Sequence, residues 1–439
     1  MVSDTMNTSD PARGAIRAWI AYDFINSLLI INGSLYFSKW ISIDQGQGSF
    51  WYGLTYSLSA FALLVIAPLI GAAIDRKRNG FSFLVYGSFA LGMLALAITG
   101  LGHREAQWLR IGGTLMVFGL INFVYQLSLV PYNWLLPHIR GVHDLKDVTK
   151  YTGFGEAAGS FGSVIGALLG AYLLRHWLGE SADGRLNLLA VMGVVFLVLF
   201  VVVFITLGRG TDAVAITHDD ESKWSIKRYF HENWLFARKA PRLTRYLLAF
   251  MLYSDALLTV QLFLPIYLRE RIGFSDSQTA VAFAIALTCG SLSSAAVGWL
   301  RPQPLRKIIV VTLILWLGAF AALAVATQIG LLIWSTIVCC GILFGVLWST
   351  SRAYLFDLAE RTTLGKGYGL YSVFERCASI IGPLCWSGVM LLPFNMGLRY
   401  ALAYAVMGTM IVIGLMLLLD GRQGRIDRLI AGEGASLSE

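Results

Sequence analysis

Long apolar runs separated by short polar turns pattern almost the whole chain. Twelve runs are long enough to cross a bilayer, which takes roughly 20 helical residues. They fall at 15–41, 50–74, 81–102, 109–136, 152–175, 186–208, 244–269, 278–300, 306–327, 330–356, 367–392 and 398–420. The pattern predicts an all-α membrane protein of twelve transmembrane helices. The longest polar stretch, 209–243, falls between the sixth and seventh runs. It divides the chain into a six-helix half at 1–208, a linker at 209–243 and a second six-helix half at 244–439.

Charge gives this string of helices an orientation. The turn 71–80 carries Arg76, Lys77 and Arg78 between two runs. Basic residues that close to spans stay on the cytoplasmic side. With that turn inside, both termini are inside, and the inner loops hold about threefold more Lys and Arg than the outer ones. The expected location is a multi-pass protein of a bacterial inner membrane.

Composition removes the competing classes. Of the 439 residues 56% are hydrophobic and only 14% charged, against about 25% charged in a soluble domain. The net charge of +8 does not mark a nucleic-acid partner, because the basic residues flank spans. Cys289, Cys339, Cys340, Cys377 and Cys385 all lie inside apolar runs and read as small buried hydrophobes. The first 14 residues lack the basic start and cleavage site of a signal peptide. In the linker, 211–222 is polar and acidic. The stretch 223–239 mixes Trp224, Tyr229, Phe230 and Trp234 with Lys and Arg, as in a helix lying in the headgroup layer.

The two halves repeat weakly. Gly153 and Gly166 match Gly369 and Gly382 at one offset, and Tyr22-Asp23 followed by Tyr36 has an echo in Tyr253-Ser254-Asp255 followed by Tyr267. Parallel six-helix repeats of this kind occur in the major facilitator fold. Gly71-x-x-x-Asp75-Arg76 resembles that superfamily's signature between its second and third spans, although Arg78 stands where a second glycine is usual. More narrowly, the chain resembles the branch of autophagy-related vacuolar effluxers and their bacterial relatives. The motifs are Trp19-x-x-Tyr22-Asp23-Phe24-x-Asn26-Ser27, Tyr132-Asn133-x-Leu135-Leu136-Pro137, Gly153-x-Gly155 with Gly159-x-x-Gly162, Tyr253-x-Asp255-x-x-x-Thr259, Ser349-x-Ser351-Arg352, and Gly369-Leu370-Tyr371 running to Ile381-Gly382-Pro383. Span 7 departs from the branch in having Ala256 after the aspartate. The resemblance implies a transporter, in some members an exporter of amino acids, with spans 1, 4, 7 and 10 around a central cavity.

The polar residues within spans agree with a cavity. Asp23, Asn26 and Ser27 form one stripe of span 1, Asn122, Gln126 and Asn133 share a face of span 4, Asp255 and Thr259 lie in span 7, and Arg352 in span 10. A carboxylate at the bilayer centre costs roughly 2.5–3.5 kcal/mol on insertion scales, so it faces a cavity or a partner. Asp255, about ten residues into its span, is roughly 15 Å deep. The expected substrate or proton site is therefore Asp23, Asn26, Asn122, Gln126, Asp255, Thr259 and Arg352. The expected gating residues are Asp75 and Arg76 in the turn, Gly162 and Gly166 at close-packing spacing in span 5, and the Glu375-Arg376 pair in span 11.

No nucleotide loop, hydrolytic triad or metal-ligand spacing is present, so neither cofactor nor enzyme activity is expected, and uphill movement would draw on an ion gradient. The leading reading is a monomeric secondary transporter of a small polar or zwitterionic metabolite, coupled to a proton or ion. The alternatives are a transporter of a metal ion such as iron, held by hard oxygen ligands, and a transporter-like scaffold that docks partners through the linker.

Overall fold

The computed structural model describes residues 10–77, 79–139, 145–209, 231, 234–235, 238–300, 303–358, 371, 373–375 and 377–419. The described residues are almost entirely helical. The first six helices are α1 (Asp10–Asn32), α2 (Gly48–Lys77), α3 (Gly80–Gly102), α4 (Thr114–Leu135), α5 (Leu145–Leu173) and α6 (Ala182–Gly208). The rest are α7 (Pro241–Tyr267), α8 (Asp276–Leu300), α9 (Leu305–Val325), α10 (Leu331–Leu358), α11 (Ile381–Met390) and α12 (Met396–Leu419). Two π-helical turns, Gly33–Phe37 and Trp40–Asp44, carry α1 onward to Asp44.

Eleven of these helices are long and apolar enough to cross a membrane, and the ten-residue α11 occupies the place of the other. The apolar run at 367–392 is not one unbroken helix: a turn at 378–380 precedes α11. Pro383 supplies a reason, since it lacks an N–H and its ring crowds the carbonyl four residues earlier. Most of the expected headgroup-layer helix at 223–239 lies outside the described residues.

Within the first half α1 packs on α5 and α6, α3 on α4 and α6, and α2 on α4. Within the second, α7 packs on α11 and α12, α8 on α10, and α9 on α10 and α12. The halves meet along two seams, α2 against α11 and α5 against α8. Large apolar side chains such as Phe61, Tyr86, Met116, Val202 and Met416 are exposed. In water they would be an aggregation liability; in hydrocarbon they match their surroundings.

Small residues set the tightest seam within the first half. A Cβ at Gly162 of α5 would strike the Phe24 backbone of α1, and one at Gly166 would strike the backbone of Leu28. The expected small-residue stripe therefore serves close approach of two helices.

Candidate functional site

A cavity of about 640 Å³ lies between the halves. Its walls come from α1, α5, α7, α8, α9 and α10. Apolar and aromatic side chains predominate, among them Phe283, Trp316, Phe344 and Trp348. Among the described residues the charged groups in the wall are Asp23, Glu156 and Arg352. Glu156 of α5 and Arg352 of α10 form an ion pair across the two halves, and both remain about half exposed. The cavity is thus reached from the end of the bundle where Glu156 and Arg352 sit.

Several sequence motifs converge to place Asp23. Trp19 Nε1 donates to the Tyr132 carbonyl at 2.9 Å, and the two rings stack with centroids 4.2 Å apart. A Cβ at Gly155 would come within 2.9 Å of both, so α1, α4 and α5 close on one another there. Tyr22 is fully buried and bonds Ser88 of α3 and Ser128 of α4. These contacts fix the rotation of α1 and leave the next residue, Asp23, turned into the cavity. Gly159 of α5 faces it: a Cβ there would lie 2.9 Å from Asp23 Oδ2 and 3.1 Å from Ser27 Oγ.

The other expected site residues are dispersed. Asp255 does not line the cavity. It is buried at 1% exposure, and its Oδ2 accepts a 2.7 Å hydrogen bond from the Gly382 amide in the first turn of α11. Thr259 is likewise buried and lies beside the same carboxylate, its Oγ1 3.5 Å from Asp255 Oδ1. Asp255 therefore caps the N-terminus of a helix on a different span, where a carboxylate meets both unpaired amides and a favourable dipole. Asn26 is fully buried, and both of its side-chain polar atoms lack a hydrogen-bond partner among the described residues. Asn122 Nδ2 donates to its own helix at the Phe118 carbonyl, and no α4 residue, Gln126 included, lines the cavity. The expected wall from span 4 is replaced by α5 and α8. Glu375 is described but lies outside the lining. The side chains of Asp75 and Arg76, and Arg376 as a whole, lie outside the described residues.

Asp23 and Asp255 differ because the internal repeat is offset by one position. Tyr253 bonds Ser351 of α10 at 2.8 Å just as Tyr22 bonds Ser128 of α4. Tyr22 and Tyr253 are therefore the matched pair, and Asp23 matches Ser254 while Asp255 matches Phe24. One residue is about 100° of helix rotation, enough to move a side chain from a cavity wall to a neighbouring helix.

The structure also assembles a charge cluster that the sequence did not disclose. Lys39 Nζ lies 2.7 Å from Asp276 Oδ1, Arg185 Nε 2.9 Å from Asp276 Oδ2, and Arg185 Nη1 2.7 Å from Asp44 Oδ2. Lys39 and Asp276 are essentially inaccessible, and Arg185 nearly so. Lys39, Asp44 and Arg185 come from the first half, and Asp276 from the N-terminal turn of α8 in the second. The four charges sum to zero and join the halves at the end remote from Glu156. At that end Tyr52 of α2 also packs edge-on against Phe263 of α7. Elsewhere, among the described residues, no three His, Cys, Asp or Glu side chains lie close enough together to hold a metal ion.

Comparison with known proteins places these features. A family model described as Major Facilitator Superfamily matches residues 138–383. A protein of Aquifex aeolicus (strain VF5), described as uncharacterized, is 23% identical over 377 residues, covering 84% of this chain and 86% of that one. The crystal structure of a mutant of nucleoside transporter NupG superposes with a TM-score of 0.75 and 12% identity, covering 92% of this chain and 99% of that chain. A bacterial homolog to the human lysosomal transporter Spinster, in an inward-facing and occupied conformation, gives a TM-score of 0.68 at 14% identity, over 94% of this chain and 98% of that chain. At such identities the solved structures speak for the fold.

Proposed function

The chain belongs to the major facilitator superfamily, and on that premise we propose that it is a gradient-driven transporter of a small polar metabolite, working by alternating access. One observation carries the reading: a cavity walled by both halves and containing Asp23, Glu156 and Arg352 is open at one end, while a buried, charge-balanced cluster joins the halves at the other. A carrier needs a central site that communicates with one side at a time. A volume of about 640 Å³ suits a molecule of metabolite or drug size.

The excess of Lys and Arg on one side of the spans puts the Glu156 end and both termini in the cytoplasm and the Lys39 end outside. The described conformation is then open inward. The motifs that resemble the vacuolar effluxer-like branch meet around Asp23 through Trp19, Tyr132 and Gly155, which supports a substrate contact there. Amino acids, moved by some of that branch, belong in the substrate panel together with cationic, anionic and neutral small metabolites.

Purified protein in liposomes tests the proposal. Radiolabelled substrates should exchange across the membrane in counterflow, and an imposed pH gradient should drive accumulation of the true substrate. Absence of flux across a broad metabolite panel, with a stable protein complex recovered on gentle purification, would favour a scaffold role.

A further inference from the structure

The charges in the cavity wall do not balance, and the imbalance selects a ligand. Among the described residues two carboxylates, Asp23 and Glu156, face one guanidinium, Arg352. Arg352 is already engaged: it pairs with Glu156, and Glu375 lies close enough to act on it electrostatically. It is therefore not available as a free anchor for an anion. Asp23 makes no ion pair or hydrogen bond to another side chain among the described residues. Across the α1–α5 seam it faces Gly159, and Ser27, one turn further along α1, meets the same glycine; neither supplies a positive charge.

The rest of the wall is mostly apolar. Phe344 and Trp348 stack with centroids 5.0 Å apart, and Trp316 and Phe283 join them in the lining. A carboxylate in such surroundings is stabilised by a cation that brings its own hydrogen-bond donors. Aromatic faces favour the same ligand, through apolar burial and cation–π attraction. We propose that this cavity binds a singly charged amine with an apolar or aromatic body, its ammonium on Asp23 and its body against Trp348 and Phe344. A zwitterion is disfavoured, because its carboxylate would enter a wall whose one guanidinium is taken. Movement of the amine across the membrane rests on the transporter reading; its recognition stands on the cavity alone.

Binding and flux are therefore measured separately. Phenethylamine, phenylalanine, 3-phenylpropionate and 2-phenylethanol share one body and differ in charge. Their affinities for the purified full-length protein are read by calorimetry. Phenethylamine should bind about tenfold or more tighter than each of the other three, the size expected of a charge-assisted contact. Asp23→Asn should erase that preference, and Asp23→Glu, which keeps the charge, should retain it. The Glu variant also controls for misfolding. Tighter binding of phenylalanine or phenylpropionate, a preference that survives Asp23→Asn, or no binding of the amine would overturn the assignment. Amine binding that depends on Asp23 without counterflow of labelled amine in liposomes would uphold the site and reject movement of the amine; absence of flux across the whole metabolite panel as well would reject the transporter reading.

Discussion

Two ion clusters tie the first six helices to the last six, and they differ in almost every physical respect. The Glu156–Arg352 pair is single and about half exposed. The Lys39–Asp276–Arg185–Asp44 cluster has three contacts of 2.7–2.9 Å, and three of its four members are almost wholly buried. Glu156 lies level with Trp19 on α1, through its neighbour Gly155. Lys39 comes 20 residues after Trp19, or about 30 Å along a helix. A wet pair gains little, about 0–1 kcal/mol, because water competes for both charges. A dry cluster is different: the gain over apolar packing is small, but losing one partner strands the others. One end is therefore a loose contact at a cavity mouth. The other is a closure that must come apart as a unit.

The largest expected effect comes from stranding those charges. Asp276→Asn leaves Lys39 and Arg185 buried with only Asp44 between them, and should weaken the closed end by about 3–5 kcal/mol. The measurement is thermal unfolding in detergent together with alkylation of a cysteine placed at Ser42, which is buried beside the cluster. Melting should drop and alkylation should accelerate. Replacing the Lys39–Asp276 pair by Met and Leu together should recover much of the loss, since a well-packed apolar pair is no worse than a buried ion pair. Unchanged labelling in Asp276→Asn would mean that the cluster does not hold this end shut.

A smaller effect is expected at Asp255. Asp255→Ala removes the acceptor for the Gly382 amide and should cost about 1–2 kcal/mol, as for loss of a helix cap. Asp255→Asn keeps an acceptor oxygen and loses the charge–dipole part, about 0.3–1 kcal/mol. Uptake into liposomes with and without a pH gradient separates a cap from a coupling group. A cap predicts that Asp255→Asn still accumulates substrate. Loss of accumulation with preserved stability would make Asp255 the coupling residue despite its distance from the cavity wall.

One rule separates the features the sequence disclosed from those it hid. Helix positions were legible because apolar runs are local, and the Gly162–Gly166 seam was legible because small-residue spacing is local. The break before α11 has a local cause in Pro383, yet a continuous apolar composition masked it. Lys39 and Asp276 are 237 residues apart, and Arg185 and Asp276 are 91 apart. Nothing local in the sequence links any one of these charges to the others. A signal was present at Lys39, which interrupts Tyr36-Phe37-Ser38-Lys39-Trp40-Ile41 without ending the apolar run. The Asp23–Asp255 equivalence failed for a subtler reason. Sequence similarity tolerates a shift of one residue, whereas a helix face does not.

Gly159→Ala should act on the cavity more than on the fold. The added methyl would meet the Asp23 carboxylate and the Ser27 hydroxyl, both side-chain ends that can yield. Overpacking elsewhere costs about 1–3 kcal/mol, so a cost below about 1 kcal/mol is expected here, with a change in affinity for whatever contacts Asp23. Equal affinity for wild type and Gly159→Ala across the phenyl series would separate Asp23 from the binding site.

The smallest stability effect belongs to the other cluster. Glu156→Gln removes one charge of a half-exposed pair, and water can solvate the Arg352 guanidinium that remains. Thermal unfolding should therefore move by no more than about 1 kcal/mol, several-fold less than for Asp276→Asn. Function should respond differently. The substitution frees Arg352, makes the wall electrically neutral, and should reduce preference for a cation over an anion of the same shape. A melting loss as large as that of Asp276→Asn would show that the pair is dry in solution, and the contrast between the two ends would disappear. A small melting change with a shift in charge preference is the result that keeps the ends distinct: one cluster holds the halves together, and the other sets the charge of the cavity mouth.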